Sequence, residues 1–287
     1  MDPDFAVLCA IQRAPLDGPA AWARAAKQDV SSVRRRIKRL EETGVLQGFS
    51  AIPPPAVFGR TYAPYTFQSD EPPNLDAVLA VPDVAWAVSV LDGRTFVIAY
   101  EAGTHRQDEL ETILGPATDA FEHAGRPQAA TLGRMDFKIL RELIIDPRAT
   151  VSNLCERTGL SAKTVRAHRA AMVARGEVKI DPIIRPPNTP GRLYYNLSVH
   201  GPKAPKVESP LAITLETFES PPATYLLATA KNLQEQMTFL RELELREDVS
   251  NVNVMMTHRF AMASARLVGW CNEKLEEWEK ARIGSTG

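Results

Sequence analysis

The sequence predicts an α+β chain with two helical modules, each followed by a domain built mainly from strands. Three observations support this expectation. A short basic segment at residues 29–44 has the periodicity of an amphipathic helix, its pattern returns later in the chain, and each copy is followed by alternating extended and helical segments.

The basic segment is predicted to be a capped helix with an apolar back and a cationic front. Val33, Ile37 and Leu40 fall on one face at helical spacing. Asp29 can cap the first turn, and Gly44 can end the helix in the left-handed conformation. The outer face and its flanks carry Ser31, Ser32, Arg34, Arg35, Arg36, Lys38 and Arg39. Such a face suits the phosphate-lined major groove of DNA, although a solvated basic helix has the same pattern.

The surrounding patterns divide the first half into two domains. Helices are predicted at residues 4–13 and from residue 19, and an extended segment follows the basic helix, so residues 1–52 resemble a winged helix-turn-helix. Residues 60–133 contain predicted strands near 62–67, 84–91, 95–100 and 128–132, with helices at 74–81 and after 104. This βαββαβ order is that of a ferredoxin-like domain.

A constant offset of 132 residues aligns the second half with the first. The offset pairs Asp4 with Asp136, Val33-Arg34 with Val165-Arg166, and Gly44 with Gly176. We therefore predict a second winged helix-turn-helix at 134–185 and a second ferredoxin-like domain at 192–283. The second basic helix offers Lys163, Thr164, Arg166 and Arg169, but its other outward positions are mostly alanine. The two modules should therefore be unequal on DNA.

Composition limits the other classes of function. The formal net charge of the 287 residues is only -1, so any affinity for nucleic acid must come from local patches. Cys9, Cys155 and Cys271 are scattered without a CxxC pair, which predicts reduced thiols and argues against zinc; no cofactor is expected. The chain has no apolar run long enough to span a membrane and no basic leader, so a cytoplasmic protein is predicted.

Longer motifs appear in both halves. The first half contains Val33-x-x-Arg36-Ile37-Lys38-Arg39-Leu40-Glu41-x-x-Gly44-Val45-Leu46-x-Gly48-Phe49, and the second contains Asp136-x-x-Ile139-Leu140-x-x-Leu143, Asp146-Pro147-Arg148-Ala149 and Gly159-Leu160-Ser161-x-x-Thr164-Val165-Arg166. With these motifs, both halves resemble the Lrp/AsnC family of prokaryotic transcription regulators. The resemblance implies a sequence-specific regulator of double-stranded DNA, made here of two fused units. It also implies dimerisation through the ferredoxin-like sheets, and we expect a homodimer with four helix-turn-helix modules.

The same resemblance implies a small-molecule effector beside the hairpin Leu91-Asp92-Gly93-Arg94. Gly93 would let a ligand approach the backbone, and Arg94 could pair with a carboxylate. The hairpin lacks the aspartate that the family carries after its glycine, and the second half has lost the turn. An ordinary hairpin turn, in which Asp92 and Gly93 supply positive φ angles, explains the same residues.

Two other classes of function stay open on the sequence. Siroheme decarboxylases are similar to this family, and the segment Ile11-Gln12-x-x-Pro15-Leu16 resembles one near their N-termini. Those enzymes carry a His/Tyr/Arg cluster on the effector-domain strands, whereas residues 88–95 contain no His or Tyr. The third class is a protein-interaction scaffold whose helix-turn-helix modules no longer bind DNA.

Overall fold

The computed structural model describes residues 2–120, 132–185, 193–219 and 222–284. Its first elements are helices α1 (Pro3–Arg13), α2 (Pro19–Ala26) and α3 (Val30–Glu42) and strand β1 (Leu46–Ile52). Asp2 caps α1 and Asp29 caps α3, each by accepting hydrogen bonds from amides of the first turn. The three helices pack through the fully buried side chains of Phe5, Leu8, Ile11 and Val33. The predicted helix-turn-helix and its wing strand are therefore confirmed.

The next segment is a ferredoxin-like βαββαβ domain. It consists of β2 (Thr61–Gln68), α4 (Leu75–Ala80), β3 (Val84–Val90), β4 (Arg94–Glu101), α5 (Gln107–Leu114) and β5 (Ala117–Ala120). The strands lie in the order β3-β4-β2-β5, and both helices pack on one face of the sheet. The strand predicted at 128–132 lies almost wholly outside the described residues, and the strand that follows α5 is β5.

The second helical module repeats the first. Helices α6 (Arg134–Ile145), α7 (Val151–Thr158) and α8 (Ala162–Ala174) precede strand β6 (Lys179–Ile184). Ser161 caps α8, and Gly176 has the same left-handed conformation as Gly44 in the first module. Strand β6 pairs with β1 in antiparallel register. The wings of the two modules thus form one two-stranded structure, which we call the ribbon (β1 and β6).

The second sheet domain differs from the expected order by one helix. It contains β7 (Leu193–His200), β8 (Ala212–Glu219), β9 (Pro222–Ala230), α9 (Leu233–Glu244) and β10 (Asn251–Met255), with the strands ordered β10-β7-β9-β8. Residues 201–211 connect β7 to β8 without a helix. Pro202, Pro205 and Pro210 interrupt this segment, and each removes a backbone donor that a helix would need.

The C-terminal segment packs against elements of the first half of the chain. Strand β11 (Thr257–Met262), which was not predicted, pairs with β3 and extends the first sheet to five strands. Helix α10 (Ser264–Gly284) packs along α6. It buries Trp270, whose ring centroid lies 5.3 Å from that of Phe58 and 5.9 Å from that of Tyr100. None of the described helices is both long and apolar enough to cross a membrane.

Candidate nucleic-acid interface and inter-sheet chamber

Helix α3 presents the basic face that the sequence predicts. Val33 and Leu40 are buried, whereas Arg34, Arg35 and Lys38 are exposed. Lys38 lies 3.6 Å from Glu42, but its side chain is 76% exposed and such surface pairs contribute little. Among the described residues, Arg34 and Arg35 form no ion pair. Their guanidinium groups therefore face solvent without a neutralising acid.

Asp4 of α1 binds two of the arginines that were predicted to contact DNA. Its carboxylate lies 2.6 Å from the guanidinium of Arg36, whose Nε also donates to the side chain of Gln28 at 2.8 Å. Arg39 pairs with the same carboxylate, although its side chain stays 58% exposed. Arg36 therefore joins α3 to α1, while Arg39 can still reach a partner in solution.

The two serines of the first turn build the N-terminus of α3. The Ser31 hydroxyl donates to the Asp29 carboxylate at 2.6 Å, and the Ser32 amide donates to the same oxygen at 2.8 Å. These bonds hold the pKa of Asp29 well below its ordinary value, so the cap stays charged at neutral pH. The Ser32 hydroxyl lies 3.5 Å from Arg35.

Helix α8 has a smaller basic face. Lys163 and Arg166 are exposed, and the Thr164 hydroxyl shares a hydrogen bond with Ser161 at 2.9 Å. Arg169 is half-buried, at the place that Ile37 takes in the first module, and burial lowers the pKa of its guanidinium. Only Lys163 and Arg166 of the predicted cations on α8 are therefore fully accessible.

Sequence reasoning missed a contact between an acidic and a basic side chain that recurs in both modules. Asp136 of α6 lies 2.6 Å from Nδ1 of His168 on α8. These two positions are the ones that the 132-residue offset aligns with Asp4 and Arg36. An acid aligned with an acid, each facing a basic residue on the recognition helix, was the signal that could have predicted the contact.

Contacts beside the ribbon hold the two modules together. The Arg148 guanidinium, from the second module, lies 4.7 Å from the ring centroids of both Trp22 and Phe49 in the first. It also donates to the carbonyl of Asp17 at 2.8 Å, and burial lowers its pKa. Because these contacts add to the pairing of β1 with β6, the two recognition helices belong to one packed unit.

The hairpin at Asp92, Gly93 and Arg94 has intramolecular partners for its polar groups. The Arg94 guanidinium donates to the Asp92 carboxylate at 2.7 Å and to the carbonyl of Val254 at 3.3 Å. Gly93 has a φ of +86°, and a Cβ there would overlap the carbonyl oxygen of Ser69. The close approach that requires this glycine is therefore made by the chain itself.

A chamber of about 370 Å³ lies between the two sheets and is closed on one side by the ribbon. Strand alternation explains its walls: on β4, Val97 and Ala99 pack toward the helices, while Phe96 and Ile98 line the chamber. On β9, Leu226 packs toward α9 and Tyr225 lines the chamber in the same way. Each sheet thus has one face in a helix-covered core and one face on the chamber.

Comparison with known proteins identifies the second helical module. Residues 132–179 match the family model described as winged helix-turn-helix DNA-binding, which confirms the second predicted module. No curated protein sequence matches the chain.

Several solved structures are similar to the chain. The siroheme decarboxylase NirDL in complex with an iron-uroporphyrin III analogue is 14% identical, with 100% of both chains covered and a TM-score of 0.43. A transcriptional regulator from Neisseria meningitidis in complex with L-Met is 14% identical over 42% of this chain and 85% of its own, with a TM-score of 0.29. The feast or famine regulatory protein from M. tuberculosis complexed with L-methionine is 22% identical over 43% of this chain and 91% of its own, with a TM-score of 0.27.

Proposed function

We propose that this chain is a sequence-specific, double-stranded DNA-binding transcription regulator of the Lrp/AsnC type, with two tandem units in one polypeptide. It acts in the cytoplasm and has no catalytic activity of its own. The observation that carries the proposal is the exposed basic face of α3, on which Arg34 and Arg35 form no ion pair among the described residues, in a chain whose two wing strands pair as one ribbon. In the proposed complex, each recognition helix enters the major groove.

The residues divide into DNA-contacting and positioning roles. Arg34, Arg35, Lys38 and Arg39 of α3, with Lys163 and Arg166 of α8, contact phosphates or base edges. Ser31, Ser32 and Thr164 lie at the helix N-termini, where their hydroxyls approach the backbone of DNA. Arg36 acts through its bond to Asp4, and the half-buried Arg169 contributes through the packing of α8.

Assembly and effector binding are part of the proposal. The paired ribbon makes one chain resemble a dimer, and association of two chains would present four recognition helices. A small-molecule effector would act through the sheet domains, which carry the ribbon. The hairpin at Asp92, Gly93 and Arg94 is less suited to bind the effector, because Arg94 is already bound to Asp92.

The chemistry of the chamber supports a regulator over a siroheme decarboxylase. A uroporphyrin-type macrocycle carries many carboxylates, and a site for it needs several cations. Among the described residues that line the chamber, Lys179 is the only permanently charged cation, and it lies 3.1 Å from Asp181. A protein-interaction scaffold would not need the unpaired arginines of α3.

Selection from a random pool of duplex DNA tests the proposal. We expect one family of sequences to be enriched, and the bound duplexes should show nanomolar affinity that weakens as salt rises. The variant Arg34→Gln with Arg35→Gln should bind the selected duplex measurably but more weakly than the natural chain. A matched control, Lys231→Gln with Lys280→Gln, removes the same charge from exposed sites outside the modules and should retain binding. Absence of enrichment, or equal losses in both variants, would overturn the proposal.

A further inference from the structure

We propose that the inter-sheet chamber is a binding site for an uncharged, mainly apolar small molecule that carries a hydrogen-bond acceptor such as a carbonyl oxygen. The inference goes beyond DNA binding, because it concerns a different surface and a different ligand. It rests on the shape of the chamber, on two polar groups in its wall that lack partners, and on its balance of charge.

The volume and the walls fit a small organic ligand. A volume of about 370 Å³ lies within the range of ligand pockets, roughly 300–1,000 Å³. Aromatic and aliphatic side chains from both sheets form most of the lining, including Tyr62, Phe96, Tyr225 and Phe260. An apolar molecule that entered the chamber would contact both sheets at once.

Two polar groups of the wall lack a hydrogen-bond partner among the described residues. The indole Nε1 of Trp86 and the hydroxyl of Thr66 are both buried, and Thr66 is only 4% exposed. Alternation along β2 places Thr66 on the same face as Tyr62 and Pro64, which also line the chamber. A buried polar group without a partner is destabilising, so a ligand that satisfied either one would gain affinity.

The chemistry of these groups specifies the ligand. An indole N–H can only donate, so its partner must be an acceptor, and a hydroxyl can donate to an acceptor as well. Strand β4 lies between the strands of Thr66 and Trp86, and their partners on β4 are two residues apart. The two side chains therefore start from backbones about 12 Å apart. An elongated or planar molecule, with an acceptor toward one or both ends, fits this arrangement.

The charges of the lining indicate that the ligand is uncharged. Lys179 and Asp181 neutralise each other at 3.1 Å, and Gln12 donates to the same aspartate at 3.0 Å. His200 also lines the chamber, and burial lowers its pKa, so it is neutral at pH 7. An ionic ligand would lose its hydration without gaining a free counter-charge.

A ligand in the chamber would also touch the ribbon. Ser50 and Ile52 of β1, together with Lys179 and Ile183 of β6, line the side nearest the helical modules. Binding there stabilises one arrangement of the strands that connect the two recognition helices.

Nile red is a suitable probe, because it is neutral, planar and apolar, carries a carbonyl oxygen, and fluoresces strongly only in apolar surroundings. We expect saturable binding to the full-length protein at one site per chain. Thr66→Val keeps the shape of the side chain, and Trp86→Phe removes the indole N–H together with one ring. Each should weaken binding about threefold or more. Val88→Trp, which fills the chamber, should abolish it.

Two controls match these variants in chemistry. Trp278→Phe removes an indole N–H from an exposed tryptophan on α10, and Thr95→Val removes a buried, unpartnered hydroxyl that does not line the chamber. Both should leave the affinity for Nile red unchanged. Near-ultraviolet circular dichroism checks that each variant is folded, and if Val88→Trp fails this check, Trp86→Phe and Thr66→Val decide the result.

Competition tests the charge argument. Uroporphyrin III, a polycarboxylate of similar planarity, should not displace Nile red. Displacement by uroporphyrin III would overturn the inference, as would the absence of saturable binding or equal affinities in Trp86→Phe, Thr66→Val and the controls. These outcomes are independent of DNA binding, which is measured separately with the selected duplex.

Discussion

Neutralising the recognition helix of the first module should change the salt dependence of DNA binding more than neutralising that of the second. The change to α3 is the triple variant Arg34→Gln, Arg35→Gln and Lys38→Gln. The change to α8 is the double variant Lys163→Gln and Arg166→Gln. These are the exposed cations of each helix apart from Arg39, which is left intact because its bond to Asp4 also holds the fold.

The expected magnitudes come from counting these cations. Each phosphate contact contributes about 0.9 to the slope of log affinity against log salt. The triple variant should therefore flatten the slope by about 2.7 and the double variant by about 1.8. Between 50 and 200 mM salt, this corresponds to about 40-fold and about 12-fold less loss of affinity, respectively.

Fluorescence anisotropy with the selected duplex at several salt concentrations measures both slopes. The lysine variant Lys231→Gln with Lys280→Gln is again the control, and it should keep the slope of the natural chain. Equal flattening by the two helix variants would refute the inequality of the modules. An unchanged slope in the triple variant would refute the assignment of α3 to the DNA interface.

The remaining predictions concern stability and assembly. Asp4→Asn should lower the free energy of unfolding in urea by about 1–2 kcal/mol, because it leaves Arg36 without its charged partner; an unchanged value would contradict this contact. Gly93→Ala should cost about 2 kcal/mol or more in thermal unfolding, because its φ is positive and its Cβ would overlap Ser69; full stability would show that the turn can shift. Burial lowers the pKa of His200, so the unfolded chain binds a proton that the folded chain does not as the pH falls below 6.5. Stability should therefore decrease as the pH falls through about 6.5, and less so in His200→Gln, as measured by urea unfolding. Light scattering at micromolar concentration should give twice the mass of one chain, and a species with the mass of one chain alone would contradict the homodimer.

Local patterns predicted the helical modules closely because their signals lie within a few residues of one another. The spacing of Val33 and Leu40, the cap at Asp29 and the glycine at Gly44 each act within one or two helical turns. The same patterns missed β8, where the alternation of apolar and polar residues is short and prolines flank the strand. They also predicted a complete βαββαβ order for a domain whose first helix is replaced by a proline-interrupted segment.

Contacts between distant residues could not be read from local patterns. The pairing of β1 with β6 and of β3 with β11 depends on how the two halves fold onto each other. The roles of individual arginines depend on the same information. Arg36 and Arg35 are neighbours in a basic run, but only Arg36 faces Asp4 on a different helix. The chamber exists because strands of both halves turn one face toward each other.

The ribbon has a consequence for how the protein would lie on a promoter. A symmetric homodimer reads a palindrome and binds equally well in either orientation. The two strands of this ribbon differ in sequence, and the recognition helices that precede them present different side chains. The two halves of the unit are therefore not equivalent. A site with two unlike halves would fix its orientation relative to the start of transcription. Where a single chain occupies such a site, the same site placed in reverse turns the chain around relative to the start of transcription.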